Sequence, residues 1–200
     1  MVKICFIGAG STIFAKNVLG DAMLTPSLQD AEIALYDIDE NRLKESELML
    51  QTINKNSNQN RAKIKSFSDR KEALKDANFV INAIQVGGYK PSTVIDFEIP
   101  KKYGLQQTIG DTTGIGGIFR GLRTLPVMFD IAKDMEEVCP DAWLLNYTNP
   151  MAILTMGMLK ATKIKTVGLC HSVQVCVPEL FEHLGIKDQY NLDEFQWKIA

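Results

Sequence analysis

The chain lacks the features that would place it in several specialised protein classes. Its 200 residues carry 22 Lys and Arg against 24 Asp and Glu, so the formal net charge is only −2. A charge so close to balance argues against a nucleic-acid or anionic-membrane surface. No apolar run approaches the about 18 residues of a transmembrane helix, and Met1–Gly8 lacks the apolar core of a signal peptide. We therefore expect a globular protein with neither a nucleic-acid nor a membrane partner.

Cysteine and histidine are scarce. The cysteines are scattered and suggest no disulfide framework: Cys5, Cys139, Cys170 and Cys176. A reduced, cytoplasmic protein is the simplest interpretation. Of the two histidines, His183 falls in the last turn of an amphipathic pattern, where a helix dipole favours a cation. We expect His183 to be a surface residue without a catalytic role.

Apolar runs alternate with helical patterns from end to end. The predicted strands are Lys3–Ile7, Glu32–Tyr36, Lys63–Phe67, Phe79–Ile84, Trp143–Leu145, Thr166–Leu169 and the start of another at Phe195–Ala200. The predicted helices are Phe14–Leu24, Glu40–Thr52, Arg70–Ala77, Leu122–Val138, Met151–Ala161 and Val177–Leu184. This rhythm is typical of an α/β, Rossmann-like, doubly wound fold, with a mostly parallel sheet and helices on both faces.

Two regions of this pattern stand out. Gln85–Gly117 is a long glycine-bearing stretch, and loops of that length in a compact domain are usually functional. The chain stops inside the strand predicted at Phe195–Ala200. We therefore expect residues 1–200 to form a single nucleotide-binding domain that is part of a longer protein.

A glycine pair lies between the first strand and the first helix. Gly8 and Gly10 would let the backbone turn sharply and approach a pyrophosphate, while the helix that begins near Ser11 and Thr12 supplies N–H groups and a partial positive charge. The third glycine of the usual dinucleotide fingerprint would fall at Ile13 and is missing. A tight turn and helix N-cap without a ligand would give the same local pattern.

An acidic residue strengthens the dinucleotide interpretation. Asp37 closes the second strand, 27 residues after Gly10, where its carboxylate can accept hydrogen bonds from the adenosine ribose. An acid at this point favours NAD over NADP because a 2′-phosphate would be repelled. Asp39, two residues on, is better placed to cap the next helix.

Polar residues cluster at the predicted carboxyl ends of three later strands, where ligands bind in open α/β sheets. The clusters are Asn82, the pair Asn146 and Asn149, and the pair Cys170 and His171. Each has a plain alternative: Asn before Pro is a common turn, and a single cysteine is often an inert thiol. Cys170 and His171 would point apart in an extended segment, so the two would not chelate one ion. The case for a site depends on the convergence of all three clusters at one sheet edge.

These motifs together resemble those of glycoside hydrolase family 4, and the Cys-His-Ser-Val tetrad resembles its α-galactosidase branch. The matching segments, in chain order, are Gly8–Thr12, Tyr36–Asp39, Gly87–Gly88, Gly110–Thr112 with Gly114–Gly117, Asn149–Met151 and Cys170–Val173. The resemblance implies an NAD- and divalent-metal-dependent α-galactosidase, with Mn²⁺ as the usual metal. It also implies the family's unusual route: oxidation at C3 of the sugar, elimination between C1 and C2, addition of water and re-reduction.

The resemblance assigns roles to individual residues. Gly8, Gly10, Ser11, Thr12, Asp37 and Asn82 would contact NAD. Asn149 would orient the hydroxyls of the α-galactoside substrate. Cys170 would bind the metal, although a thiolate is soft for Mn²⁺. His171, next in the chain, would act as the acid on the leaving group.

The chain departs from the family pattern in two places. Members that hydrolyse phosphosugars carry an arginine after the double glycine, whereas Tyr89–Thr93 has none and offers only Lys90. This difference predicts an unphosphorylated substrate. The family's metal-binding histidine and catalytic base lie beyond Ala200, so we expect the 200 residues alone to be inactive and the longer protein to be a homo-oligomer.

Two other functions remain open. A lactate/malate-type dehydrogenase has an N-terminal domain of this kind and an Asn-Pro turn after the fifth strand, but it needs arginines for its substrate carboxylate. Arg120 and Arg123 are available, in the context of a helix start. A non-catalytic nucleotide-binding module would use the glycine loop and nothing else.

Overall fold

We describe a computed structural model of the chain that covers residues 1–107, 112, 114–186 and 188–189. The chain divides into two compact units, Met1–Gly168 and Leu169–Ala200, which are described separately. The strand predicted at Phe195–Ala200 and the Gly110-Asp111 part of the glycine motif lie outside the described residues. That residues 1–200 form one domain stays a prediction.

A six-stranded parallel sheet forms the centre of the first unit. Its strands are β1 (Lys3–Ile7), β2 (Glu32–Tyr36), β3 (Lys63–Phe67), β4 (Phe79–Asn82), β5 (Trp143–Asn146) and β6 (Lys165–Gly168). Their order across the sheet is β3-β2-β1-β4-β5-β6. In this doubly wound order, β2 and β3 lie on one side of β1, and β4, β5 and β6 lie on the other. Sheets of this kind bind ligands in the crevice between β1 and β4, where the order of the strands changes side. The fold class predicted from the sequence is confirmed.

Helices connect the strands and cover both faces of the sheet. The helices of the first unit are α1 (Thr12–Leu24), α2 (Glu40–Asn58), α3 (Arg70–Leu74), α4 (Val94–Lys102), α5 (Gly114–Val138) and α6 (Met151–Ala161). In the second unit, α7 spans Ser172–His183. Within the described residues, no helix combines the length and the apolar character needed to cross a bilayer.

Alternating side chains of the central strands fill two separate cores. In β1, Phe6 lies in the core beneath α1 and α2, whereas Cys5 lies in the core beneath α3, α5 and α6. This alternation follows from the two-residue period of a strand, and burial on both faces explains why the strands are apolar throughout. The sheet is therefore a rigid base whose carboxyl edge carries the loops described below.

The helix after β2 is longer than the sequence predicts. The predicted helix ends at Thr52, before the polar segment 54–60, but α2 continues through Asn58. The buried Asn54 and Asn58 are satisfied there because their amide groups donate to the carbonyls of Ala62 and Gln29, each at 2.8 Å. A polar composition therefore did not indicate exposure at this point.

The long stretch Gln85–Gly117 also contains helices in its described parts. It contains an irregular helical turn at Gly88–Thr93 and the helix α4, and α5 begins at Gly114 instead of near Leu122. Its glycines and prolines are breakers by propensity, but tertiary contacts stabilise the helices. Asp96 of α4, which is 1% exposed, pairs with Arg123 of α5 at 2.6 Å.

Candidate functional site

The glycine loop after β1 packs tightly against the ends of two strands. Gly8 has φ +89° and donates its N–H to the carbonyl of Tyr36 at 2.9 Å. A Cβ at Gly8 would lie 2.7 Å from the carbonyl oxygen of Ala83. Both the backbone conformation and the close approach therefore require glycine here.

The first turn of α1 is open to an anion. The side chain of Ser11, at the N-cap, makes no capping hydrogen bond within the described residues, and the first turn carries no acidic residue. Thr12 is half-buried, and its hydroxyl lies 3.5 Å from the carbonyl oxygen of Gly10. Uncapped N–H groups at a helix N-terminus favour a phosphate group.

Asp37 lies against the glycine loop, as its place after β2 predicts. Its Oδ2 accepts from the N–H of Gly10 at 2.7 Å, and its Oδ1 accepts from the N–H of Asp39 at 2.9 Å. Each carboxylate oxygen has a further lone pair, so Asp37 can still accept from a ribose hydroxyl. The carboxylate of Asp39 accepts from the N–H groups of Asn41 and Arg42, which confirms its predicted role as the N-cap of α2.

A buried serine holds the same loop, and the sequence interpretation missed it. The hydroxyl of Ser46, in α2, donates to the carbonyl of Ala9 at 2.6 Å and is fully buried. Ser46 lies between Leu43 and Leu50 on the buried face of α2. A polar residue within an apolar helix face was the available signal, because a buried hydroxyl needs a partner.

The asparagines at the ends of β4 and β5 form a buried network. Asn82 and Asn146 are paired across the two strands, and the Nδ2 of Asn82 donates to Asn146 Oδ1 at 2.9 Å and to Thr148 Oγ1 at 3.1 Å. Thr148 in turn donates to the carbonyl of Ile84 at 3.1 Å. This network links the residues that follow β4 to those that follow β5.

The structure places Asn82 differently from the other residues proposed for NAD. Its side chain is fully buried, and its Oδ1 has no hydrogen-bond partner among the residues that the structure describes. The hydrogen bonds of its amide group go to protein atoms. Contact between Asn82 and a cofactor stays a prediction.

A cleft opens where β1, β4 and β5 end, and we call it the strand-end cleft. Ser11 and Asn149 both line it, so the structure brings the predicted cofactor loop and the predicted sugar-binding residue to one place. Asn149 is exposed, whereas its neighbours Thr148 and Pro150 are buried. The described residues that line the cleft are Ser11, Phe14, Ala83, Ile84, Gln85, Arg120, Tyr147, Thr148 and Asn149.

The two arginines of α5 have different environments. Arg123 holds both carboxylate oxygens of Asp96, at 3.0 and 2.6 Å, and its Nε donates to the carbonyl of Val86 at 3.2 Å. The hydrogen bond to Asp96 raises the pKa of Arg123. Arg123 therefore stabilises the segment before the double glycine, whereas Arg120 faces the strand-end cleft. Lys90 is exposed.

Cys170 and His171 belong to the second unit. Both are exposed, and they precede α7, whose first turn begins with the N–H of Val175 donating to the carbonyl of His171 at 3.2 Å. Within the described residues no group of three or more His, Cys, Asp and Glu side chains could hold a metal ion. The roles of Cys170 in metal binding and of His171 in acid catalysis stay predictions. His183 is exposed at the last position of α7, as predicted.

The cysteines fall into two groups. Cys5 and Cys139 are buried, and burial raises the pKa of both thiols, to about 11 for Cys139 and further for Cys5. Cys170 and Cys176 are exposed. Because the thiolate is the metal ligand and the nucleophile, only the second group is suited to such chemistry.

Known proteins resemble this chain in both sequence and structure. An α-galactosidase of Bacillus subtilis (strain 168) is 70% identical over 187 residues, which are 94% of this chain and 43% of that protein. A 6-phospho-β-glucosidase of Thermotoga maritima, solved with manganese, NAD⁺ and glucose-6-phosphate, superimposes with a TM-score of 0.79 at 28% identity, over 92% of this chain and 43% of that one. The chain thus spans less than half the length of these relatives.

The fold is shared more widely than the family. A lactate dehydrogenase of Eimeria maxima, solved with NADH and oxamate, superimposes with a TM-score of 0.59 at 13% identity, over 90% of this chain and 49% of that one. A likeness at that identity concerns the fold alone. Residues 3–186, by contrast, match the sequence profile of the family described as family 4 glycosyl hydrolase. The chain belongs to glycosyl hydrolase family 4.

Proposed function

We propose that the full-length protein is an NAD- and divalent-metal-dependent α-galactosidase that hydrolyses unphosphorylated α-galactosides. The observation that carries this proposal is the 70% identity to an α-galactosidase over 94% of the chain. The proposed course is oxidation at C3, elimination between C1 and C2, addition of water and re-reduction. The Thermotoga relative, solved with manganese and NAD⁺, supports both cofactors.

The glycine loop and Asp37 would hold the dinucleotide. Gly8 and Gly10 bring the backbone close to the N-terminus of α1, which offers its N–H groups to the pyrophosphate. The carboxylate of Asp37 would accept from the adenosine ribose and repel a 2′-phosphate. When bound, the nicotinamide supplies a hydride acceptor and later a hydride donor. The fit of the loop to this group supports an NAD-dependent enzyme.

The strand-end cleft would hold the sugar. Asn149 presents an exposed amide at its rim, and Ser11, Gln85 and Tyr147 add neutral polar groups. Amides and hydroxyls can both donate to and accept from sugar hydroxyls, which suits a polyhydroxylated substrate. We propose that Asn149 orients the reacting part of the ring.

The metal site has fewer identified ligands than the dinucleotide site has binding residues. Cys170 is one exposed thiol, and the described residues do not complete a ligand set around it. We propose Cys170 as one ligand of a larger set and His171 as the acid on the leaving group. A divalent metal there would supply a Lewis acid that polarises oxygen atoms of the sugar.

A hydroxy-acid dehydrogenase is the alternative with the same fold. Such an enzyme needs cationic side chains for a carboxylate substrate, but Arg123 is already paired with Asp96. A module that only binds a nucleotide is the remaining alternative.

Three assays on the purified full-length protein separate these functions. Calorimetry measures NAD⁺ binding, release of nitrophenol from a nitrophenyl α-galactoside measures hydrolysis, and NADH absorbance measures net oxidation of hydroxy acids. We expect NAD⁺ binding, and hydrolysis that requires both NAD⁺ and Mn²⁺ but accumulates no NADH. Net NADH formation from a hydroxy acid would support the dehydrogenase, and NAD⁺ binding without any turnover would support the module.

A further inference from the structure

The peptide group that joins Ala9 to Gly10 is held at both of its ends. Its N–H donates to the Oδ2 of Asp37 at 2.7 Å, and its carbonyl accepts from the hydroxyl of Ser46 at 2.6 Å. Asp37 follows β2 and Ser46 lies in α2, so one strand-helix unit supplies both contacts. Because a trans peptide points its N–H and its carbonyl in opposite directions, the two contacts together fix its orientation.

The direction of the Ala9 carbonyl decides which N–H groups remain available at the start of α1. In a regular helix each carbonyl accepts from the N–H four residues later, which would pair Ala9 with Ile13. Among the described residues no hydrogen bond joins these two groups, and the Ala9 carbonyl accepts from Ser46 instead. The N–H of Ile13, in the first turn of α1, is therefore left for another acceptor.

Packing alone does not explain a serine at this position of α2. Ser46 is fully buried, and it lies between Leu43 and Leu50 on the apolar face of the helix. Burying a hydroxyl costs free energy unless it is hydrogen-bonded, and an alanine would fill the same face without that cost. The partner of Ser46 on the glycine loop is therefore the feature that accounts for the residue.

We infer that Ser46 is a positioning residue for the dinucleotide, because it turns the Ala9 carbonyl towards α2 and so keeps the N-terminus of α1 open to the diphosphate. This inference rests on the proposed function, which places NAD⁺ at this loop. The same turn of α1 carries no acidic residue, and the Ser11 side chain makes no capping bond within the described residues. A carbonyl oxygen turned towards that turn would occupy its N–H groups and bring partial negative charge to the place of the diphosphate.

Replacing Ser46 in the full-length protein tests the inference. Ser46→Ala leaves the buried Ala9 carbonyl without its donor, so that carbonyl turns to the N–H of Ile13 and competes with the diphosphate. We expect the Kd for NAD⁺ to rise about 10-fold, the scale of one unsatisfied buried group. Thr52→Ala is the matched control, because it removes a hydroxyl that donates to the carbonyl of Leu48 at 2.8 Å on the exposed side of the same helix. The control should bind NAD⁺ as the wild type does.

Three ligands separate positioning from a general support of the fold. NAD⁺ and ADP carry a diphosphate, whereas adenosine carries only the ribose that Asp37 would bind. Calorimetry should show NAD⁺ and ADP about 10-fold weaker in Ser46→Ala and adenosine within about 2-fold of the wild type, while circular dichroism and urea unfolding report on the fold. The retained adenosine binding is a result that a loop disrupted as a whole would not give.

Two results would overturn the inference: unchanged NAD⁺ affinity in Ser46→Ala, or weakening of adenosine by the same factor as NAD⁺. The proposed function fails separately. A wild-type protein that binds NAD⁺ but does not hydrolyse a nitrophenyl α-galactoside would contradict the proposed activity, and the comparison of Ser46→Ala with the wild type would still decide the role of Ser46. A wild-type protein that does not bind NAD⁺ would contradict both.

Discussion

The Oδ2 atom of Asp37 accepts a hydrogen bond of 2.7 Å from the backbone N–H of Gly10, although the two residues are 27 positions apart. This contact joins the end of β2 to the loop that follows β1, two strands that are neighbours in the sheet. The acid therefore has two functions in the proposed enzyme. It shapes the glycine loop, and its remaining lone pairs can accept from a ribose.

Replacing Asp37 should weaken NAD⁺ binding. We expect Asp37→Ala to cost about 1–3 kcal/mol of binding free energy, because a charge-assisted hydrogen bond is lost. Asp37→Asn keeps one acceptor oxygen but loses the charge, so it should weaken NAD⁺ less and reduce the discrimination against NADP⁺. Calorimetric titration of the three proteins with both dinucleotides measures these effects. If Asp37→Ala binds NAD⁺ as tightly as the wild type, the carboxylate does not contact the cofactor.

A side chain at Gly10 should weaken NAD⁺ binding, whereas a side chain at Gly20 should be tolerated. A Cβ at Gly10 would lie 2.8 Å from Asp37 Oδ2 and 3.1 Å from Arg42 Cβ, so Gly10→Ala must displace the carboxylate. We expect a loss of NAD⁺ affinity of about 1–3 kcal/mol, as for Asp37→Ala. Gly20, within α1, has open space around it, so Gly20→Ala should raise stability by about 0.5–1 kcal/mol and leave the affinity unchanged. Urea unfolding and calorimetry measure the two quantities, and equal NAD⁺ affinity for the two variants would contradict this account.

The sequence predicts the sheet better than it predicts the connections. β1, β2 and β3 have the predicted bounds. β1 and β2 are short apolar runs that are mostly buried, whereas β3, at the edge of the sheet, alternates exposed lysines with partly buried residues. The helix α2 and the segment around α4 were misjudged because their stability comes from distant partners. Asn58 reaches the carbonyl of Gln29, and Asp96 reaches Arg123, and neither partner is visible to a local pattern.

The same limit applies to the candidate site. The positions of Asp37 and Asn149 could be predicted because each follows a strand, and topology brings strand ends together. Their roles in binding stay predictions. Ser46 and Arg120 lie within helices, so their roles depend on which helix face meets the loop or the cleft. Asn82 also lies at a strand end, but the sequence did not indicate that its side chain is fully buried; its contact with a cofactor stays a prediction.

The full-length enzyme should prefer an unphosphorylated α-galactoside to its 6-phosphate. The segment Tyr89–Thr93 lacks an arginine, and Arg120 is the only charged group among the described residues that line the cleft. Moving a phosphate dianion from water into a site without enough cations is unfavourable. Values of kcat/KM for a nitrophenyl α-galactoside and its 6-phosphate decide the question. A clear preference for the phosphorylated substrate would show the specificity assignment to be wrong.

The four cysteines should react at very different rates. Iodoacetamide attacks the thiolate, so at about pH 8 it should modify Cys170 and Cys176, which are exposed, while burial protects Cys5 and Cys139. Because the pKa of Cys139 is raised to about 11, an increase to about pH 9 should still leave that thiol protonated and unreactive. Peptide mass spectrometry measures each site, and unfolding in urea should make all four reactive. Rapid native modification of Cys139 would contradict its burial.

Cys170 should be required for turnover but not for NAD⁺ binding. In the full-length protein we expect Cys170→Ser to abolish hydrolysis under Mn²⁺, because loss of one protein ligand steeply lowers metal affinity. The Kd for NAD⁺ should hardly change, because the residues proposed to hold the dinucleotide, Gly8, Gly10 and Asp37, belong to the first unit and Cys170 belongs to the second. Cys176→Ser, which removes the other exposed thiol, is the matched control and should retain turnover.

A second measurement tests the same role without relying on activity. If the Cys170 thiolate binds the metal, Mn²⁺ should slow its alkylation in the wild-type protein, whereas the alkylation of Cys176 should not change. Thiolates bind Mn²⁺ weakly by comparison with softer metals, so Zn²⁺ should protect Cys170 at lower concentrations. Protection of Cys170 together with loss of turnover in Cys170→Ser would establish it as a metal ligand. Wild-type turnover in the serine variant, with alkylation unaffected by either metal, would leave Cys170 as an exposed thiol without a role in the reaction.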